Sequence, residues 1–156
     1  MKVYVIDRSQ VLQASPGQAW RFFSDPCNLQ RITPPWLDFR ILSCPDPPMH
    51  AGMIVTYSIG VLPLVRTPWV TEITHVQDGR LFVDEQRLGP YRFWHHQHHF
   101  QEVEGGVSVR DLVHFALPLG PAGRLVHRLW IRQRLEAIFD HRTKVLAGLF
   151  GVDAAG

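Results

Sequence analysis

The sequence predicts an α+β domain in which a curved, antiparallel sheet of seven strands packs against one long C-terminal helix. Apolar and polar residues alternate between residues 36 and 117, which is the pattern of strands that bury one face. The pattern changes to an apolar repeat of three or four over residues 121–149, which is typical of an amphipathic helix. The length of 156 residues fits one domain over residues 1–150, with a flexible tail at 151–156.

Two short helices are expected between the first strand and the rest of the sheet. Residues 2–12 alternate like a strand, and residues 15–18 read Ser-Pro-Gly-Gln, a capping box that starts a helix. Asp25 is placed to cap a second short helix, which must stop before Pro34, because proline cannot continue a helix. Six further strands, separated by turn residues, are predicted at residues 36–43, 52–60, 65–76, 80–88, 92–104 and 107–117.

The hairpin turns also predict which side chains face the long helix. Counting from the glycine-containing turns places Asp84 opposite His96 and Phe100 opposite Asp111, and strand alternation then assigns every other residue to one face. The more polar face is expected to meet solvent, and the mixed aromatic and polar face to lie under the helix. The predicted ligand-binding set on this inward side is Trp69, Thr71, Asp84, Gln86, Trp94, His96, His98, Phe100, Asp111, Phe115, Leu135 and Arg142.

The polar residues of that inward set indicate more than a hydrophobic core. Each buried polar group without a partner costs about 1–3 kcal/mol, so Asp84 beside His96 and Asp111 diagonal to His98 imply a hydrogen-bonded network. Arg142 is the expected partner of a buried carboxylate. A histidine held by an aspartate could also act as a general base. The same groups could suit zinc or iron, but we favour the network and expect no metal and no cofactor.

The element order and several segments resemble the SRPBCC superfamily, whose members share the helix-grip fold of START domains and the birch-pollen allergen. The likeness is nearest to small bacterial members described as polyketide-cyclase-like or cell-division-inhibitor-like. It implies a cavity between the sheet and the C-terminal helix, but the superfamily includes carriers, cyclases and interaction modules. The segments that carry the resemblance are residues 29–35 (LQRITPP), 52–57 (GMIVTY), 84–86 (DEQ), 89–91 (GPY), 94–100 (WHHQHHF), Asp111 and 138–142 (IFDHR).

The function we expect is binding of a small hydrophobic or lipid-like molecule in that cavity. Its polar group would lie near Asp84, His96 and His98, and its apolar part against aromatic walls. One alternative is a cyclase or dehydratase that uses the histidine–aspartate network. Another is a module that binds a protein partner through the basic stripe of the last helix, formed by Arg124, Arg128 and Arg132.

Charge, hydropathy and cysteine content limit the remaining classes. The net charge of +2 is too small to indicate nucleic-acid binding. No apolar run approaches the roughly 20 residues of a transmembrane helix, so we expect no integral membrane contact. Cys27 and Cys44 form no CxxC motif. We interpret them as two small buried thiols of a cytoplasmic protein, with a disulfide as the less favoured alternative.

Overall fold

The computed structural model describes residues 2–62, 65–118 and 130–151. Its strands form one antiparallel sheet in the order β1-β7-β6-β5-β4-β3-β2, which confirms the expected α+β helix-grip class. Apart from β2, the strand bounds agree with the sequence prediction to within about two residues. The strands are β1 (Tyr4–Leu12), β2 (Arg40–Ser43), β3 (Ile54–Leu62), β4 (Val65–Gln77), β5 (Leu81–Leu88), β6 (Phe93–Val103) and β7 (Gly106–Ala116).

The short helices between β1 and β2 begin at the predicted caps. Helix α1 (Pro16–Phe23) starts with the capping box: the Ser15 hydroxyl oxygen accepts from the Gln18 amide at 3.2 Å, and the Gln18 side chain accepts from the Ser15 amide at 2.9 Å. A 3₁₀ helix (Pro26–Ile32) follows, and a second 3₁₀ turn (Pro35–Leu37) replaces the predicted start of β2. Proline cannot donate to a sheet ladder, which explains why β2 begins later.

The C-terminal helix α2 (Arg132–Phe150) packs across the concave face of the sheet. Its buried residues are Leu135, Phe139, Arg142 and Leu146, at spacings of four, three and four. The sequence analysis expected the apolar stripe to end at Leu149, which is instead 42% exposed. The stripe's centre lies one position further along because neighbours at three and four residues share a helix face.

The basic stripe predicted on this helix lies largely outside the described residues. Arg124 and Arg128 belong to residues 119–129, and so does the predicted start of the helix near residue 121. Arg132 lies within α2, where it is exposed and pairs with Glu136 at 2.9 Å. The predicted tail falls mainly on residues 152–156, which are also outside the description, whereas Gly151 caps α2 with its amide on the Ala147 carbonyl.

The register of the central strands differs from the prediction at one hairpin. Asp84 lies opposite His96 as expected, but Asp111 lies opposite His98 and not opposite Phe100. The turn is displaced because Gly106 belongs to β7 at a φ of 154°, where a Cβ atom would collide with the carbonyl oxygen of the neighbouring β1. A shift of two residues keeps each side chain on its face, so the inward set is unchanged.

Cys27 and Cys44 form a disulfide, so the prediction of two buried thiols is wrong. Cys27 is exposed and Cys44 is half-buried. The bond connects the first 3₁₀ helix to the residue that follows β2, and these elements become neighbours only in the folded chain. Within the described ranges, no helix is long and apolar enough to cross a membrane.

Candidate functional site

A cavity of about 290 Å³ lies between the concave face of the sheet and α2. Aromatic side chains from three strands and the β5–β6 loop form much of its wall, with Trp69 at 5.3 Å from Trp94 and 5.5 Å from Tyr91 between ring centroids. The 3₁₀ helices close one end with Leu29 and Ile32. The wall is mostly apolar, which is the character of sites for small organic molecules.

The cavity brings together eight of the twelve residues that the sequence analysis proposed for it. The four others are inward-facing but lie outside the cavity wall. Gln86 hydrogen-bonds to both backbone groups of Tyr91 and braces the β5–β6 loop. Phe100 packs against α1, Phe115 is fully buried in the core, and Asp111 lies beneath the histidines. The eight that line the cavity are Trp69, Thr71, Asp84, Trp94, His96, His98, Leu135 and Arg142.

The polar groups at the base of the cavity form one connected cluster, which we name the His–Asp cluster: Asp84, His96, His98, Asp111 and Arg142. One oxygen of Asp111 lies 2.9 Å from His96 Nε2 and 3.0 Å from both His98 Nδ1 and Arg142 Nη2. Asp84 Oδ2 lies 2.8 Å from His98 Nε2 and 3.5 Å from His96 Nδ1. The sequence analysis placed Asp111 diagonal to His98, whereas the two residues face each other directly across the strands.

Burial and charge act in opposite directions on the pKa values of this cluster. Burial would raise the pKa of Asp111, but Arg142 and the two histidines outweigh it and hold that pKa well below its usual range. Burial would lower the pKa of His98, but its two aspartate partners raise it. Burial and the adjacent His98 lower the pKa of His96. These directions favour two carboxylates, one arginine, one charged histidine and one neutral histidine, whose formal charges cancel.

Sequence reasoning missed several residues of the cavity wall. Tyr57 lies opposite Trp69 in the β3–β4 pair and its hydroxyl contacts the Thr71 hydroxyl at 2.8 Å. Extending the strand register to β3 would have found Tyr57. Phe139 was passed over because its neighbour Ile138 fits the helical repeat equally well, and Tyr91 lies in a loop with no periodic signal.

The indole N–H of Trp69 is the unusual polar group of this cavity. The side chain lines the cavity and is only 7% exposed. In the part of the chain that the structure describes, its Nε1 has no hydrogen-bond partner. A buried donor without a partner costs about 1–3 kcal/mol, so a group that enters the cavity with an acceptor atom gains an interaction there.

Two exposed tryptophans mark one edge of the cavity. Trp36 and Trp130 are 45% and 38% exposed, yet both belong to the cavity wall. The Arg134 guanidinium lies between them, 4.8 Å and 4.5 Å from the two ring centroids. Cation–π contacts of this kind hold the side chains together at the surface, so this edge is a candidate entrance.

Comparisons with known proteins agree with this architecture. The family model for polyketide cyclase / dehydrase and lipid transport matches residues 5–148. The structure of protein CV1439 from Chromobacterium violaceum superposes with a TM-score of 0.70 at 16% identity, covering 96% of this chain and 99% of that one. No curated protein sequence matches the chain.

Two further similar structures come from proteins with described roles or ligands. A norcoclaurine synthase point mutant from Thalictrum flavum, in complex with a transition state analogue, has a TM-score of 0.64 at 14% identity, covering 95% of this chain and 96% of that one. Ara h 8.0201 has a TM-score of 0.61 at 12% identity, covering 94% and 99%. At these identities the likeness shows the shared fold alone.

Proposed function

The chain belongs to the polyketide cyclase / dehydrase and lipid transport family of the SRPBCC superfamily, and from this premise we propose that it binds a small, largely apolar molecule in the cavity. The observation that carries the proposal is the unpartnered, buried N–H of Trp69 in the cavity wall. An apolar cavity that needed only to be filled would not retain a donor without a partner, because that donor costs stability. A ligand with an acceptor atom removes this cost.

The wall also limits the shape of the ligand. Its volume of about 290 Å³ lies at the lower end of the range for small-molecule sites, roughly 300–1,000 Å³. Tyr57 and Trp69 stack at 5.7 Å, and Trp94 stands nearly perpendicular to Trp69. Such rings make favourable offset or edge contacts with another flat ring, so a ring-containing molecule with one or two oxygen atoms fits best.

Filling the cavity tests the binding function. The change Leu135→Trp places a large ring where α2 meets the cavity, since Leu135 is buried and lines it. We expect its affinity for the apolar fluorescent probe 1-anilinonaphthalene-8-sulfonate to fall at least about tenfold, which is roughly 1.4 kcal/mol. Leu149→Trp on the exposed side of the same helix is the matched control and should bind the probe like the unaltered protein.

The result that contradicts the proposal is equally direct. A folded Leu135→Trp protein with unchanged probe affinity would show that the probe binds elsewhere and that the cavity holds no small molecule. Circular dichroism of both variants establishes that they are folded. Native mass spectrometry of freshly purified protein then identifies any molecule retained from the cell.

A second candidate function, acid–base catalysis of a cyclase or dehydratase type, has one observation in its favour. His96 lines the cavity, and its Nε2–H donates to Asp111, which leaves the other ring nitrogen to accept a proton. A catalyst would release a product with altered mass or ring count, whereas a carrier would release its ligand unchanged. Mass analysis of the retained molecule before and after incubation separates the two functions.

The remaining expectations from sequence stay proposals of lower standing. Arg132 already pairs with Glu136, so the described part of α2 adds no support for a protein partner at the basic stripe. We also propose a cytoplasmic location, against which the Cys27–Cys44 disulfide weighs, since disulfides are rare in that compartment. The redox state of this pair in protein alkylated at the moment of lysis tests the location.

A further inference from the structure

We propose that Asp84, His96 and His98 bind one divalent transition-metal ion, of the zinc or ferrous iron class, at the base of the cavity. One nitrogen of each histidine and one carboxylate oxygen of Asp84 lie within 4.8 Å of one another. This is close to the separation of atoms that are each bound about 2.1 Å from a single ion. Two imidazoles and one carboxylate are a ligand set that both metals accept.

The position of Asp111 is the second observation. One of its oxygens lies 2.9 Å from His96 Nε2 and 3.0 Å from His98 Nδ1. The other nitrogen of each ring is the one nearer Asp84, at 3.5 Å for His96 Nδ1 and 2.8 Å for His98 Nε2. A carboxylate behind a histidine holds the N–H on the far nitrogen and directs the lone pair of the near nitrogen to the metal.

Arg142 is compatible with an ion at this place. Its Nη2 contacts the same Asp111 oxygen at 3.0 Å and lies 3.4 Å from His98 Nδ1, so both contacts are on the Asp111 side of the His98 ring. The charge of Arg142 therefore supports Asp111 from behind, while Asp84 faces the nitrogens on the other side. A proton shared by His98 Nε2 and Asp84 Oδ2 is the competing occupant of this position.

The three ligands leave part of the coordination sphere of the ion free. All three residues line the cavity, so the free positions face the space where a small molecule would bind. Zinc sites with three protein ligands and one open position are typical of reactive sites, whereas structural sites are closed by four. The ion would bind an oxygen atom of the molecule in the cavity, and this prediction is independent of the probe-binding test above.

The other metal-like cluster of the described residues does not compete. Asp25, Cys27 and Cys44 also lie within metal-binding distance of one another, but the two sulfur atoms are bonded to each other and a disulfide is not a metal ligand. The outward-facing His99 of β6 contacts Gln97 at 2.9 Å. It therefore offers a matched control on the same strand and the opposite face.

Metal binding by the full chain tests the proposal. The protein is treated with EDTA, dialysed and titrated with zinc by calorimetry, and with cobalt(II) by visible absorption, which reports the ligand set. We expect one ion per chain. The change His98→Ala should weaken zinc binding at least about 100-fold, Asp111→Asn about 10–100-fold, and His99→Ala not at all.

Every outcome decides the matter. The absence of stoichiometric zinc and cobalt binding by the unaltered protein overturns the proposal, and this measurement needs no variant to fold. Equal losses in His98→Ala and His99→Ala would also overturn it, because they would show adventitious binding by surface histidines. A protein that binds the fluorescent probe but no metal would leave the proposed ligand binding intact.

Discussion

His96 and His98 are two residues apart on β6 and face the same cavity, yet their surroundings differ. His98 lies within 3.0 Å of both aspartates, whereas His96 is close only to Asp111. The directions of their pKa values follow: burial opposes charge on both rings, but only His98 has enough carboxylate contact to overcome it. At the residue scale, partner geometry and not residue type therefore distinguishes the two histidines.

The buried pair of Arg142 and Asp111 is testable by a double-mutant cycle. Each residue is more than nine-tenths buried, and their atoms lie 3.0 Å apart. Removing one partner leaves the other charge buried, so Arg142→Ala and Asp111→Ala should each lower the free energy of unfolding by about 3–5 kcal/mol. The double variant should lose less than the sum by about 1 kcal/mol or more. Urea unfolding measures all three values.

The exposed pair of Arg132 and Glu136 on the same helix is the control for that cycle. Their side chains are 70% and 43% exposed, and exposed pairs contribute about 0–1 kcal/mol. Glu136→Ala should therefore change the free energy of unfolding very little. Small and additive losses for the Arg142 and Asp111 variants would show that Arg142 does not support the cluster.

Among the elements, the β6–β7 hairpin decides which polar groups meet. Its turn ends one residue earlier than the glycine pair suggests, because Gly106 pairs with Val103 inside the sheet. This brings Asp111 directly opposite His98, and from there to the shared contact with both histidines. The local turn signal was correct about the hairpin's existence but left its register open by two residues.

Two glycines of different elements have opposite expected effects when changed to alanine. Gly106 has a φ of 154°, and a Cβ atom there would collide with the Leu12 carbonyl oxygen. Gly106→Ala should therefore lower the free energy of unfolding by about 1–3 kcal/mol. Gly148 lies in α2 with open space around it, and Gly148→Ala should raise stability by about 0.5–1 kcal/mol.

Thermal unfolding of the two alanine variants checks these effects. A lower midpoint for Gly148→Ala would mean that α2 has a neighbour at that position. An unchanged midpoint for Gly106→Ala would mean that the hairpin can move back to the turn predicted from the glycine pair, and so that the register of the His–Asp cluster is not held by this contact.

In the whole molecule, the cavity exists because three separate parts of the chain enclose it. The sheet supplies the aromatic wall, α2 covers it with Leu135 and Phe139, and the 3₁₀ helix Pro26–Ile32 closes an end. The Cys27–Cys44 disulfide ties that 3₁₀ helix to the sheet at β2. The end of the cavity is thus held by a covalent bond as well as by packing.

Removing this disulfide should lower the stability of the whole fold. The two cysteines are 17 residues apart, and closing a loop of this length contributes about 3 kcal/mol by restricting the unfolded chain. The double variant Cys27→Ser with Cys44→Ser should lose about that much in urea unfolding. A reductant should lower the stability of the unaltered protein similarly and leave the variant unchanged. An unaltered protein that is insensitive to reductant would contradict the prediction.

Some of these features follow from local sequence alone. Strand alternation, capping residues and turn residues act over a few neighbours, so they determine the order of elements and the face on which each strand residue lies. The inward positions of Asp84, His96, His98 and Asp111 were therefore predictable, and a two-residue error in register did not move them. The helical repeat placed Arg142 inward for the same reason.

Other features depend on contacts between residues distant in the chain. The Cys27–Cys44 bond, the unpartnered Trp69 N–H and the shared Asp111 oxygen are outcomes of how the 3₁₀ helix, the strands and α2 pack. Alternation says which face a side chain occupies, but not which atom meets which across that face. Only the tertiary structure decided these contacts, because distances between side-chain atoms depend on rotamers and packing that no local pattern encodes.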